Sequence, residues 1–190
     1  MEVRPALPEE YDALRPVVVG AFGEEGTAIG RLLDDLVENE AFRAAFVAVD
    51  QDTVVGYVSL TRGWLDADRE LVEAWVLSPL AVAPDHQRRG IGAALVAEAE
   101  RWTRAAGVPL LFLEGDPGYY ARLGWAPAHE HGLVRPSERI PEPACQVRLL
   151  DAYVPWMRGR LVYPDVFWRH DAVGLRGDHL ARVQDALANP

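Results

Sequence analysis

The chain has 190 residues, 49% of them hydrophobic, and a formal net charge of −10 at pH 7. This length and hydrophobic content suit one domain with a full core and leave room for one appended segment. The acidic balance disfavours a nucleic-acid partner, and no apolar run approaches the roughly 18 residues that a membrane span requires.

Periodicity and turn residues predict the elements of the first half of the chain. Residues 50–52, Asp-Gln-Asp, read as the turn of a hairpin, and residues 64–70 read as an acidic loop. An apolar register breaks at Ser78-Pro79, where a proline indicates an edge or a bulge. In chain order we expect a strand at 2–5, helices at 8–22 and 27–38, and strands at 42–50, 53–60 and 72–82.

A glycine loop follows the last of these strands. Val82 and Pro84 lead into Gly90-Ile91-Gly92, and the pattern is then helical through residue 106. The first N–H groups of a helix have no partner within it, and the helix dipole favours negative charge there. The glycines let a bulky anion approach the backbone, and Arg88 and Arg89 add positive charge. The sequence therefore predicts a pyrophosphate cradle.

This loop differs from the familiar nucleotide-binding motifs. A P-loop continues with Lys and then Ser or Thr, whereas Ala93 and Ala94 stand here and the chain contains no lysine. A dinucleotide-binding fingerprint has Gly or Ala where this chain has Leu95, and it lies near the first strand. A nicotinamide-dependent oxidoreductase is therefore disfavoured.

The second half of the chain continues the alternation of strands and helices. Residues 156–168 are rich in aromatic side chains, which disordered tails lack, so we expect this region to pack. The predicted elements are a strand at 110–113, a short helix at 119–123, a strand fragment at 125–128, a long loop at 130–143, a last sheet strand at 145–153 and a helix at 179–187. Together they predict a mixed α/β sheet with helices on both faces.

Two stretches together resemble the GNAT superfamily of acyl-CoA-dependent N-acyltransferases. Residues 87–92, Gln-Arg-Arg-Gly-Ile-Gly, are similar to its pyrophosphate loop, Gln/Arg-x-x-Gly-x-Gly/Ala. Residues 120–125 are similar to its Tyr-x-x-x-Gly-Phe element, with Trp125 in place of Phe. The preceding Gly115-Asp116-Pro117 is most similar to a bacterial subgroup of N-acetyltransferases. The resemblance covers residues 2–130 and implies a central mixed sheet with one splayed strand.

The resemblance also implies a co-substrate and the residues that bind it. Acetyl-CoA would be held through backbone N–H groups at the pyrophosphate and through the main chain of Ala81 and Val82 at the pantetheine arm, while Gln87 would orient the loop. The implied cofactor-binding residues are Ala81, Val82, Gln87, Arg88, Arg89, Gly90, Ile91, Gly92, Ala93 and Tyr120. The acceptor would be the primary amine of a small molecule or peptide, attacking directly in a ternary complex.

Tyr120 and Glu73 are the predicted catalytic residues. A phenol near the sulfur can protonate the CoA thiolate as it leaves, although Tyr120 could instead only position CoA. The amine must lose a proton before attack, and Glu73, on the strand leading to the cradle, is the first choice of base. The alternatives are Glu114, His129 and His131, each of which could equally be a solvated surface residue.

The cysteine and the histidines give no sign of further chemistry. The only cysteine, Cys145, lies in an apolar strand and reads as an inert core thiol rather than a nucleophile. The five histidines lack metal-ligand spacing, so no metal is expected.

We expect an N-acetyltransferase domain over residues 1–150, with residues 151–190 packed on it or at a homodimer interface. The N-terminus favours a cytoplasmic location. The alternative function is a non-catalytic acyl-CoA-binding regulatory module.

Overall fold

Nine strands and six α-helices form within residues 1–188, the part of the chain that the computed structural model describes. The strands are β1 (Glu2–Pro5), β2 (Phe42–Asp50), β3 (Thr53–Ala67), β4 (Leu71–Val82), β5 (Leu110–Glu114), β6 (Ala126–Pro127), β7 (Leu133–Val134), β8 (Cys145–Leu149) and β9 (Gly159–Val162). The helices are α1 (Tyr11–Phe22), α2 (Gly26–Val37), α3 (Ile91–Ala105), α4 (Pro117–Ala121), α5 (Asp165–Arg169) and α6 (Gly177–Ala188).

The sheet is mixed but mostly antiparallel, and the chain divides into two compact units. The first unit comprises Met1–Thr61 and Leu77–Thr103. Its strands β1, β2 and β3 are antiparallel neighbours. The β2–β3 hairpin closes on the pair Asp50–Thr53, and both loop residues have positive φ. This is the geometry of the favoured two-residue hairpin turns, and it confirms the predicted hairpin.

Helices cover both faces of the sheet in this unit. Because successive strand residues point to opposite faces of the sheet, Gly56 and Tyr57 of β3 pack against different layers of helices. Gly56 lies against Ile91 and Leu95 of α3. The opposite face packs on α1 and α2, in a core formed by Leu14, Val18, Leu33, Ala45, Val47, Tyr57 and Ala81. Helix α3 is thereby fixed on the sheet beside the glycine loop that precedes it.

The second unit comprises Arg62–Val76 and the chain from Arg104 onward. Strand β5 pairs in parallel with β4 and antiparallel with β8, and β8 pairs antiparallel with β6. The β4–β5 pairs, Trp75–Leu111 and Val76–Phe112, precede Ser78-Pro79, the position at which the sequence predicts that β4 departs from regular pairing. The end of β3 pairs with β9, which pairs in parallel with β7.

The sheet extends beyond its predicted limits at two places. Trp64 to Ala67, predicted to lie in an acidic loop, belong to β3 and pair with β9. Leu65 and Ala67 are buried while Asp66 is exposed, so the acid occupies an outward position that a strand tolerates. The second place is β9, Gly159–Val162, which continues the sheet after the strand predicted at 145–153; that strand, β8, is shorter than predicted and ends at Leu149.

The chain after Leu150 adds β9, α5 and α6 to the second unit. The aromatic-rich residues 156–168 therefore include β9 and most of α5. Their apolar side chains Tyr163, Val166 and Phe167 are buried, and the rings of Tyr163 and Phe167 lie 5.3 Å apart. The domain boundary at residue 150 stays a prediction. Across residues 1–188, no helix combines the length and apolar character needed to cross a membrane.

Candidate functional site

Three hydrogen bonds hold the chain where the glycine loop of the first unit begins. The Ala83 N–H donates to the Val55 carbonyl of β3 at 2.9 Å. The His86 N–H donates to the Ala83 carbonyl at 2.8 Å and closes a tight turn. The Gln87 side-chain amide donates from Nε2 to the Val82 carbonyl at 3.1 Å. This last bond ties the loop to the end of β4, and the role of Gln87 in CoA binding stays a prediction.

Two left-handed residues then bend the loop toward α3. Arg88 has φ of 60° and Gly90 has φ of 81°. A non-glycine residue seldom adopts positive φ, so Arg88 marks a constrained backbone. Left-handed residues within a turn make neighbouring N–H groups converge into a concave anion site. A Cβ on Gly90 would meet no atom of the described residues within 4 Å, so the backbone is open on that side.

Helix α3 presents its N-terminus directly after this bend. Its first hydrogen bond runs from the Ala94 N–H to the Gly90 carbonyl at 3.0 Å. The N–H groups of Ile91, Gly92 and Ala93 therefore precede the helical hydrogen bonds. The first turn carries no acidic residue, and the exposed Arg88 and Arg89 precede it. Dipole, free donors and arginine charge together make this segment suited to a phosphate group.

The end of β4, assigned by resemblance to the pantetheine arm, is also well anchored in this unit. The Ala81 side chain is buried in the core that contains Tyr57. The Ser59 hydroxyl donates to the Ser78 carbonyl at 2.9 Å, next to the cis peptide bond between Ser78 and Pro79. The main chain at residues 81 and 82 is therefore carried by a fixed strand. Its predicted contact with pantetheine stays a prediction.

Tyr120 lies in the second unit, in the short helix α4. The Asp116 carboxylate caps this helix by accepting the Gly118 N–H at 2.8 Å. The Tyr120 ring is buried and makes edge-to-face contacts with Tyr119 and Trp125, with ring centres 4.9 and 6.0 Å away. Burial raises the pKa of the Tyr120 phenol above its ordinary value, and Tyr119 adds to this effect. The phenol is therefore protonated at neutral pH and is suited to donate a proton or hydrogen bond.

Glu73 lies on β4 in the same unit, on the same side of the strand as Trp75. The indole Nε1–H of Trp75 donates to the Glu73 carboxylate at 2.7 Å, and the Trp75 side chain is buried. A buried indole thus fixes the orientation of this partly exposed carboxylate. Such a fixed carboxylate can accept a proton directly or through a water molecule.

Glu114, an alternative base, is engaged by the C-terminal segment. Its Oε2 accepts the Gly174 N–H at 3.0 Å, and the Tyr163 hydroxyl also donates to its carboxylate. The residue is partly accessible, but Oε1 is fully buried. Burial raises the pKa of Glu114 to about 7, against the opposing effects of both donors and of Arg139 and Arg176. This carboxylate therefore joins the end of β5 to the C-terminal segment, a contact that the sequence did not predict.

The remaining candidate groups are His129, His131 and Cys145. His129 and His131 belong to a short 3₁₀ helix, where His129 is exposed and His131 partly exposed. Burial, followed by the charge of Glu114, raises the pKa of the Cys145 thiol to about 12. That thiol stays protonated and is a poor nucleophile. Among the described residues, no group of three or more His, Cys, Asp and Glu side chains could hold a metal ion.

Gln146 is a residue of this region that the sequence pattern did not single out. It is 1% exposed on β8 and donates from its side-chain amide to the Gly115 carbonyl at 3.2 Å. Gly115 immediately precedes the Asp116 cap of the helix that carries Tyr120. The available signal was a polar residue in an otherwise apolar stretch, which does not identify its partner.

The chain is similar in sequence to known acetyltransferases. Residues 9–125 match the model of the Acetyltransferase (GNAT) family. The uncharacterized N-acetyltransferase YjhQ of Escherichia coli strain K12 is 32% identical over 132 residues, covering 68% of this chain and 71% of YjhQ.

Solved structures are similar over most of the chain. The GNAT family N-acetyltransferase YhbS from Escherichia coli, solved in complex with CoA, has a TM-score of 0.78 at 25% identity, covering 88% of this chain and 92% of its own. A GNAT family acetyltransferase from Brucella melitensis, solved in complex with acetyl-CoA, has a TM-score of 0.69 at 24% identity, with coverage of 87% and 97%. These similarities confirm the predicted mixed α/β fold.

Proposed function

Because the chain belongs to the GNAT acetyltransferase family, we propose that it transfers the acetyl group of acetyl-CoA to a primary amine. The amine attacks the thioester carbonyl directly, in a ternary complex with no acyl-enzyme. The inert environment of Cys145, whose thiol is buried and protonated, is consistent with this direct route. The acceptor class is the primary amine of a small molecule or peptide.

The observation that carries the proposal is the open, left-handed turn at the start of α3. Arg88 and Gly90 turn the backbone so that the N–H groups of Ile91, Gly92 and Ala93 follow as free donors. A pyrophosphate would bind these donors, and the arginine side chains would add charge at the rim. The similarity to YhbS, which was solved with CoA, supports the same ligand for this chain.

Tyr120 is proposed as the general acid. The tetrahedral intermediate collapses by breaking the carbon–sulfur bond, and the electron pair leaves on the CoA sulfur. A phenol that keeps its proton at neutral pH can give that proton, or a strong hydrogen bond, to the thiolate. Tyr120 meets this requirement because a phenol keeps its proton at neutral pH, and burial, which raises its pKa, does not change that protonation state.

Glu73 is proposed as the group that receives the proton of the attacking amine, directly or through water. Its carboxylate is oriented by the Trp75 indole, which donates a hydrogen bond to Oε1. The choice rests on this orientation and on the position of Glu73 on β4, the strand that ends at the cradle. Glu114 is the weaker choice because its carboxylate already binds Gly174 and Tyr163.

Two measurements on the purified protein test this function. CoA should raise the unfolding temperature, and thiol release from acetyl-CoA should depend on an added primary amine drawn from a panel of small amines and peptides. A CoA-dependent rise in Tm without amine-dependent thiol release would favour the alternative, a non-catalytic acyl-CoA-binding module. Failure of CoA to change Tm at millimolar concentration would contradict both functions.

A further inference from the structure

A buried amide on β8 supports the backbone beneath the Tyr120 ring. Gln146 lies opposite Leu113 of β5 and Pro127 of β6, so its side chain has apolar neighbours on both sides. Burying a side-chain amide costs free energy unless it makes hydrogen bonds. Gln146 Nε2 donates to the Gly115 carbonyl at 3.2 Å, and this bond gives the buried amide a specific partner.

Gly115 is held from two directions, by Gln146 of β8 and by Ala144 of the 3₁₀ turn that precedes β8. Its carbonyl accepts from Gln146, and its N–H donates to the Ala144 carbonyl at 3.0 Å. Gly115 follows directly after β5 and Ala144 directly precedes β8, so the backbone bond between them extends the β5–β8 pairing by one residue. This bond and the Gln146 side chain together hold the Gly115 backbone just before helix α4 begins.

The Tyr120 ring rests directly on Gly115. A Cβ at Gly115 would lie 2.4 Å from Cε2 of Tyr120, closer than real Cβ contacts, and 3.1 Å from Cδ2, which is already a tight contact. The rings of Tyr119 and Trp125 contact Tyr120 on other sides. Protein interiors have few voids, so a displaced Gly115 backbone displaces the ring that rests on it.

We propose that Gln146 is a positioning residue for the Tyr120 phenol and acts through the backbone of Gly115. This inference rests on the acid role proposed above for Tyr120. A general acid must stand within hydrogen-bond reach of the departing atom, and a displacement of about 1 Å can cost on the order of 100-fold in rate. Gln146 holds the surface that sets the position of the phenol without touching the substrates itself.

The first test follows the ring and needs no catalytic activity. In protein labelled with 3-fluorotyrosine, the Tyr120 fluorine resonance is assigned by its loss in Tyr120→Phe. Gln146→Leu should shift or broaden this resonance. The matched control Thr103→Val removes another buried side-chain hydrogen bond to a carbonyl, that of Ala99 at 2.8 Å, and should leave the resonance in place. A Tyr120 resonance unchanged in Gln146→Leu would overturn the proposal.

A second variant keeps the test decisive if Gln146→Leu does not fold. Gly115→Ala places a methyl group against the Tyr120 ring and should shift the same fluorine resonance. If the resonance is unchanged in Gly115→Ala, the ring does not depend on this surface and the proposal fails.

Turnover separates this inference from the proposed function. Gln146→Leu should lower kcat for amine-dependent thiol release on the order of 10-fold or more, with the KM for acetyl-CoA nearly unchanged. In a Tyr120→Phe background the same substitution should cause no further loss, because the group that it positions is gone. If Tyr120→Phe alone keeps full turnover, the acid role is wrong, and the fluorine resonance still decides whether Gln146 positions the ring.

Discussion

Gly90 and Gly107 stand at opposite ends of helix α3 with the same backbone requirement. Both have left-handed φ, 81° and 73°, and a Cβ on either would meet no atom of the described residues within 4 Å. An alanine at either position therefore meets the same conformational cost and no steric clash. Only Gly90 belongs to the proposed cradle. A comparison of the two alanine variants therefore separates the cost of backbone strain from the loss of CoA binding.

Both Gly90→Ala and Gly107→Ala should lose about 1–2 kcal/mol of stability, the cost of a left-handed residue with a Cβ. Only Gly90→Ala should also lose most of the CoA-dependent rise in Tm, because its methyl group blocks the approach of the pyrophosphate. CoA at 100 times its Kd should add about 2.7 kcal/mol to the wild-type protein. Thermal unfolding with and without CoA measures both effects. A full CoA shift in Gly90→Ala would show that the cradle lies elsewhere.

Tyr120→Phe should lower kcat on the order of 100-fold and leave CoA binding nearly unchanged, because only the proton donor is removed. Tyr119→Phe is the matched control, since it removes the phenol hydroxyl of the neighbouring ring, 4.9 Å away. Amine-dependent thiol release gives kcat, and thermal shift gives CoA binding. Equal losses in the two variants would contradict a special role for Tyr120.

Glu114→Gln should remove a pH dependence of stability. The pKa of Glu114 is raised to about 7 in the folded protein, from an ordinary value of 4.5. The folded state therefore binds the proton more tightly, and stability falls as pH rises from about 4.5 through 7. The neutral glutamine should be more stable than wild type at pH 8, by roughly 1–3 kcal/mol, and similar at pH 4.5.

The measurement for Glu114 is Tm as a function of pH between 4.5 and 8. Glu138→Gln is the control, because this carboxylate is 81% exposed and its loss should keep the wild-type slope. A Glu114→Gln profile parallel to that of wild type would show that the buried carboxylate does not cause the pH dependence.

Phe167→Ala and Trp168→Ala test the packing of the C-terminal segment with neighbouring aromatic residues. Phe167 is 1% exposed and contacts the Tyr163 ring, whereas Trp168 is 43% exposed. Phe167→Ala should cost about 3–5 kcal/mol through the cavity that it leaves, and Trp168→Ala far less. Urea unfolding midpoints report the difference. Equal, small changes would mean that the segment contributes little to stability.

The parts of the fold that the sequence predicted are those with local causes. The hairpin at Gln51 and Asp52 and the helix ending before Gly107 follow from residues whose backbone preferences act within a few positions. The bend of the glycine loop belongs to the same class, because it comes from consecutive residues between Arg88 and the start of α3. Its binding of a pyrophosphate stays a prediction.

The contacts that the sequence missed join distant parts of the chain. Gln146 binds the carbonyl of a residue 31 positions away, and Gly174 binds Glu114 from 60 positions away. The sequence did not predict strand β9 because the strand is only four residues long and shows little alternation of polar and apolar side chains. Such features depend on which distant partner the fold supplies, and no local preference specifies that partner.

The placement of β9 between β3 and β7 has a consequence for synthesis on the ribosome. All residues of the first unit have been added to the chain by Thr103, whereas Trp64 to Ala67 of β3 obtain their partner only when residues 159–162 emerge. Until then a nascent chain exposes an unpaired strand edge, which is prone to intermolecular pairing. A product of premature termination before Gly159 retains that edge, so we expect it to aggregate more readily than the full-length chain.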